Sequence, residues 1–251
     1  MLKKAFTLQE LLITMGIIGV ISALALPAIM NAQPDKNKSL YMRAYNSLTT
    51  LTADIIDNSE LYWTEYNADG SISHKGLSNV TKLDFAPYNK IENSVGVADI
   101  CSGIAKYPII LYSMLNTAST PTIAVGNPST VSFSTTDGMS WSFEADPTKI
   151  ASNKLEYTLT IDVNDTEGIN HIYDDDHTQP DQFMFVINNE GDIQPADALG
   201  MAYLQSATDM TSKAEDKELA SQIISSAGSS TDVAKMTSAL NTIIKSKSKS
   251  K

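Results

Sequence analysis

Covalent cross-linking is absent from this 251-residue chain: Cys101 is its only cysteine, so no intrachain disulfide can form. The fold must therefore be held by its core. Basic residues are missing where acids are dense, for no Lys or Arg lies between Lys154 and Lys213 while twelve Asp and Glu do. With Lys3, Lys4 and the tail lysines at 245, 247, 249 and 251 set aside, 12 bases face 29 acids, a balance of −17. Such a surface repels nucleic-acid phosphate, so no nucleic-acid partner is expected. Catalytic signatures are missing too. There is no Gly-x-Ser-x-Gly elbow and no phosphate-cradling glycine loop, and His74, His171 and His177 share no distinctive setting. Cys101 reads as a small buried hydrophobe rather than a nucleophile. No active site is read from the sequence, and the chain is not expected to be an enzyme.

What is present begins at the N-terminus. Residues 6–30 form an apolar run whose only charge is Glu10, long enough to span a bilayer as a helix. A carboxylate within such a run costs roughly 2.5–3.5 kcal/mol on insertion scales, which marks it as functional. Lys3 and Lys4 precede the run and favour retaining that end in the cytoplasm, with the bulk of the chain outside it.

The order Lys3-Lys4-Ala5-Phe6-Thr7-Leu8-Gln9-Glu10 resembles the leader of type IV pilins and type II secretion pseudopilins. The resemblance implies cleavage between Ala5 and Phe6 by a membrane peptidase and methylation of the new amine on Phe6. Ala5 departs from the glycine usual in that family. Glu10 matches the family's acid, which would pair with the Phe6 amine of an adjacent subunit. Pro27 and Gly19 match a frequent kinking proline and a frequent small residue. The implied function is a structural subunit of a type IV pilus or type II secretion filament, its large size and helical tail leaning toward a minor one. Its implied partners are related subunits, the prepilin peptidase, an inner-membrane platform and the inner membrane itself. Many such proteins close their C-terminal region with a disulfide, which this chain lacks.

Two other readings of the same segment stand beside this one. Ala23-Leu24-Ala25 offers an ordinary signal-peptidase site, and an uncleaved single-pass anchor needs no site at all. Either makes the chain an exported soluble or membrane-anchored binding protein, such as an adhesin. Export is expected in every case.

Beyond the apolar run, Leu40, Tyr41, Ala44, Leu48, Leu51, Ile55 and Ile56 recur at three- and four-residue steps, which predicts an amphipathic helix. Lys36, Lys38, Arg43 and Asp54 fall on its polar face. Tyr107 to Leu115 suits either a buried strand or a short helix. Val131–Ser134 and Met139–Phe143 alternate with period two around Thr135-Thr136-Asp137-Gly138, which predicts a β-hairpin. Leu155–Val163 and Phe183–Ile187 read as two more strands, the latter turning at Asn188–Gly191 into Ile193. Ser212 to Lys245 reads as two helices separated by Gly228-Ser229-Ser230, followed by a disordered Ser-Lys tail.

The expected fold class is α+β: a long N-terminal helix, half membrane and half amphipathic, packed on a small antiparallel sheet of about four strands, with a helical C-terminal extension. The expected segments are a leader at 1–5, an assembly helix at 6–30 and its amphipathic continuation at 31–58. A variable region at 59–130, the sheet with an acidic loop at 131–205 and the extension at 206–251 follow.

The acidic loop is the remaining candidate site. Asp162, Asn164, Asp165, Glu167 and Asn170 present oxygen at short spacing directly after a strand, a donor set suited to Ca²⁺. Gly168 falls one place late for an EF-hand loop. Major pseudopilins carry a calcium loop near their C-terminal strands, so the resemblance points the same way. A solvated turn in which Asp and Asn bond backbone groups is the alternative.

Overall fold

The computed structural model describes residues 9, 11–21, 36–58, 65–66, 68–70, 72–73, 106–124, 128–145, 156–164, 171–173, 180–188, 190–207 and 213–249. Helix α1 covers residues 11–21 and helix α2 covers Lys36–Asp57. A two-stranded pair, β1 (Glu65–Tyr66) and β2 (Ile72–Ser73), precedes helix α3 (Lys106–Met114). Six strands follow: β3 (Thr122–Ala124), β4 (Ser129–Ser134), β5 (Ser140–Ala145), β6 (Glu156–Asp162), β7 (Gln182–Asn188) and β8 (Ile193–Pro195). They pair in sequence order as one antiparallel sheet. Helices α4 (Ala198–Gln205), α5 (Lys213–Ala227) and α6 (Val233–Lys249) complete the chain.

The expectation of one long N-terminal helix is corrected. Among the described residues helix α1 is continuous over eleven residues, about 16 Å at 1.5 Å per residue, against a hydrocarbon layer of about 30 Å. Among the described residues no helix is long and apolar enough to cross a membrane. Helix α2 is a separate element that belongs to the folded head. Pro27, the expected kinking position, lies outside the described residues. The sheet is also larger than expected, six strands rather than about four.

Period-two patterning decides which face of the sheet is covered. Val131 and Phe133 of β4, Trp141 and Phe143 of β5, Tyr157, Leu159 and Ile161 of β6, and Phe183, Phe185 and Ile187 of β7 are all buried. The alternate positions, largely Ser and Thr, are half-exposed, the usual arrangement of an antiparallel sheet covered on one side. Helices α2, α3 and α4 lie on the covered face. Tyr41 of α2 stacks on Phe185 with ring centroids 5.3 Å apart, and Tyr203 of α4 lies 5.8 Å from Phe183. Tyr107 of α3 meets Tyr157 at 5.2 Å and Tyr112 meets Phe133 at 5.3 Å.

Residues 107–115, open to either reading in the sequence, are resolved as helix over Lys106–Met114. Pro108 sits in the first turn, where a missing N–H donor leaves no helical bond unmade. The expected β4–β5 turn forms as read: Thr135 N–H donates to Met139 O at 2.9 Å, and Gly138 adopts φ +81°. The C-terminal region departs from expectation at its end. Helix α6 continues through the Ser-Lys stretch to Lys249, with Ser246 and Ser248 hydroxyls donating to Ile243 and Lys245 carbonyls. Lys247 and Lys249 lie in its last turn, where positive charge complements the helix dipole.

Candidate functional site

Helix α1 differs from every other helix in what it does with its apolar side chains. Leu11, Leu12, Ile13, Met15, Ile17, Ile18, Val20 and Ile21 are each between 51% and 67% exposed, and none joins the core. A Cβ built on Gly16 or Gly19 meets no atom within 4 Å. By contrast, Tyr41, Ala44, Leu48 and Ile55 of α2 are buried. Ala5, Phe6 and Glu10, the residues that carry the leader resemblance, lie outside the described residues.

The acidic region is partly described. Asp162 ends β6, and its Oδ1 accepts the Asn164 N–H at 3.2 Å while Oδ2 accepts Gln182 Nε2 at 3.2 Å. Asp181 is buried, and its Oδ1 accepts the His171 N–H at 3.0 Å. The chain closes on itself here: Val163 N–H donates to Asp181 O, and Gln182 N–H donates to His171 O. These carboxylates bond backbone and amide donors at the end of the β6–β7 ladder. Asp165, Glu167 and Asn170 lie outside the described residues, so the five expected oxygen ligands are not seen together. Among the described residues, no group of three or more His, Cys, Asp and Glu is placed to hold a metal ion.

Two buried acids escaped the sequence reading. Asp197 caps α4: Oδ1 accepts the Gly200 N–H at 2.6 Å, and Oδ2 accepts the Met184 N–H of β7 at 2.9 Å. Burial pushes its carboxyl up to about 6, outweighing the backbone donors that oppose the shift. The phenol of Tyr41 donates to Gly200 O at 3.1 Å, and burial first, then the nearby Asp197, raise its pKa well above the ordinary value. The second acid is Asp216, in the first turn of α5. Lys38 Nζ lies 2.8 Å from Asp216 Oδ2 and 2.8 Å from Ser206 Oγ, whose hydroxyl bonds Asp216 Oδ1. Ser206 and Asp216 are buried, and the three side chains tie α2 to the end of α4 and to the first turn of α5.

A cavity of about 130 Å³ opens between α2, the segment after α3 and the β4–β5 turn. Arg43, Ala44, Leu115, Asp137, Met139 and Trp141 are among the residues that line it. The sequence reading placed Arg43 on a polar helix face and Asp137 in a turn, and nothing in either pattern shows that they meet.

Compared with models of known families, with characterised proteins and with solved structures, the chain matches none.

Proposed function

We propose that this chain is an exported structural subunit of a filament of the type IV pilus or type II secretion class, assembled through its N-terminal apolar segment. The observation that carries the reading is the exposure of all eight large apolar side chains of α1, none of which joins the core formed by the described residues. Burying such a side chain is worth roughly 1.5–3 kcal/mol, so the segment requires a covering that none of the described residues supplies. Lipid before assembly and neighbouring apolar segments afterwards provide it in turn. Gly16 and Gly19, with nothing packed against them, permit close approach of a neighbour.

The leader residues support the same reading. Lys3 and Lys4 hold the N-terminus on the cytoplasmic side, and the acidic head is delivered outside the inner membrane. Cleavage after Ala5 by a prepilin peptidase exposes the Phe6 amine. That cation then pairs with Glu10 of an adjacent subunit, because a lone carboxylate among apolar segments is strongly unfavourable. An inner-membrane platform is the partner on which assembly takes place.

The N-terminal mass of the protein isolated from its native membrane tests the proposal. A chain that starts at Phe6 and carries one methyl group is the expected result. A start at Leu26 makes the chain an ordinary secreted protein, and an intact Met1 makes it a plain anchor; both overturn the filament reading. Glu10→Ala is expected to abolish filaments while export continues.

A further inference from the structure

The cavity between α2 and the β4–β5 turn combines two features that do not follow from packing a core. It is about 130 Å³, comparable with cavities of about 150 Å³ that take up a benzene-sized molecule. One of its lining residues, Trp141, is 2% exposed, yet its Nε1–H meets no acceptor among the described residues. Buried donors are nearly always bonded, so an open indole N–H on a residue that lines a cavity signals a missing acceptor.

Charge restricts what that acceptor is. Arg43 and Asp137 both line the cavity and neutralise each other in an ion pair of 3.2 Å. Thr135 Oγ1 donates to Asp137 Oδ1 and so helps hold this carboxylate in place. An incoming anion would meet Asp137 at short range and a chain of net charge −11 at long range. An incoming cation would find Asp137 already paired. Ala44, Leu115 and Met139 supply apolar wall. An uncharged ligand with one strong acceptor and a short apolar body meets all of these conditions.

We propose that this cavity is a binding site for a small uncharged molecule bearing a carbonyl oxygen, of the amide class, with that oxygen accepting the Trp141 Nε1–H. The site belongs to the folded head and is independent of the N-terminal segment, so it stands or falls apart from filament assembly.

The test uses the full-length chain in detergent, labelled with ¹⁵N-tryptophan. Trp63 and Trp141 give two indole signals, which Trp63→Phe assigns. N-methylacetamide is titrated as the probe, with acetate as a charged control of similar size. The expected result is a saturable downfield shift of the Trp141 indole proton while the Trp63 signal stays still, with acetate binding at least tenfold more weakly. Ser47→Leu, which fills the cavity from its half-exposed α2 wall, is expected to weaken the probe at least tenfold. Should that variant fail to fold, the wild-type titration alone decides. A linear shift shared by both indoles, equal binding of acetate, or unaltered binding by folded Ser47→Leu overturns the proposal, leaving a cavity that holds only water.

Discussion

Lys38 and Asp216, 178 positions apart in the chain, form an ion pair of 2.8 Å in which the carboxylate is 1% exposed. The same ammonium lies 5.7 Å from the centre of the Tyr203 ring, so one side chain joins α2 to both α4 and α5. Breaking a buried pair on one side strands the other charge, at a typical cost of about 3–5 kcal/mol. Lys38→Met is therefore expected to lower the urea-unfolding free energy by about 3 kcal/mol, since Lys38 is itself 18% exposed. The double change Lys38→Met with Asp216→Leu is expected to recover most of that loss. Equal stability of the single variant and the wild type would show that water, not Lys38, satisfies Asp216.

Asp197 makes stability depend on pH in the direction opposite to a surface carboxylate. Its folded-state pKa of about 6 lies above the ordinary 3.8, so the folded state binds the proton more tightly than the unfolded one. The contribution is fully present below 3.8 and is lost as pH rises through about 6. Its size is about 3 kcal/mol at 1.36 kcal/mol per pKa unit. Unfolding titrations of wild type and Asp197→Asn between pH 4 and 7 isolate the effect. The wild type is expected to lose stability relative to the variant as pH rises, and parallel curves would remove the assignment.

Thr52 Oγ1 donates to Leu48 O and lies 2.7 Å from the Tyr107 hydroxyl, joining α2 to α3 inside the core. Thr52→Val keeps the shape and leaves the phenol of Tyr107 without this partner. A buried orphan of this kind costs about 1–3 kcal/mol. Thr52→Val with Tyr107→Phe is expected to cost less than the Thr52→Val single change, as measured by a double-mutant cycle.

Gly191 holds φ +90° in the β7–β8 turn, and a Cβ built there would overlap Ile56 Cδ1 of α2. Gly138 holds φ +81° with nothing within 4 Å of such an atom. Gly138→Ala is expected to cost the backbone strain alone, about 1–2 kcal/mol. Gly191→Ala is expected to cost more, and Ile56→Val in the same chain should return the excess by removing the methyl in the way. If the two alanine variants melt together, the turn does not press on α2.

The elements whose positions are set by local patterning were legible. The hairpin around Thr135–Gly138 forms where period-two alternation meets a turn. Helix α2 buries Tyr41, Ala44, Leu48 and Ile55, four residues of its apolar stripe. The break between α5 and α6 falls at Gly228 to Asp232, spanning the expected Gly-Ser-Ser separator. The single long N-terminal helix was not borne out: α1 and α2 are described as separate elements, and among the described residues no helix is long and apolar enough to cross a membrane. Strand β3 was missed because three residues, only one of them half-buried, give too little alternation to read.

By itself, then, the sequence determined the repeat and the apolar face of α2, of the β4–β5 hairpin and of β6 and β7, since side-chain periodicity is a property of the local backbone. It also determined the charge asymmetry and the N-terminal residues whose resemblance to a leader supports the functional proposal. Only the tertiary structure decided which polar groups are buried and with whom: Lys38 with Asp216, Thr52 with Tyr107, and Asp197 with Met184 and Gly200, while Trp141 Nε1 is left without an acceptor among the described residues. Those pairings depend on desolvation, and desolvation is created by elements that meet across long stretches of chain, so no local pattern carries it.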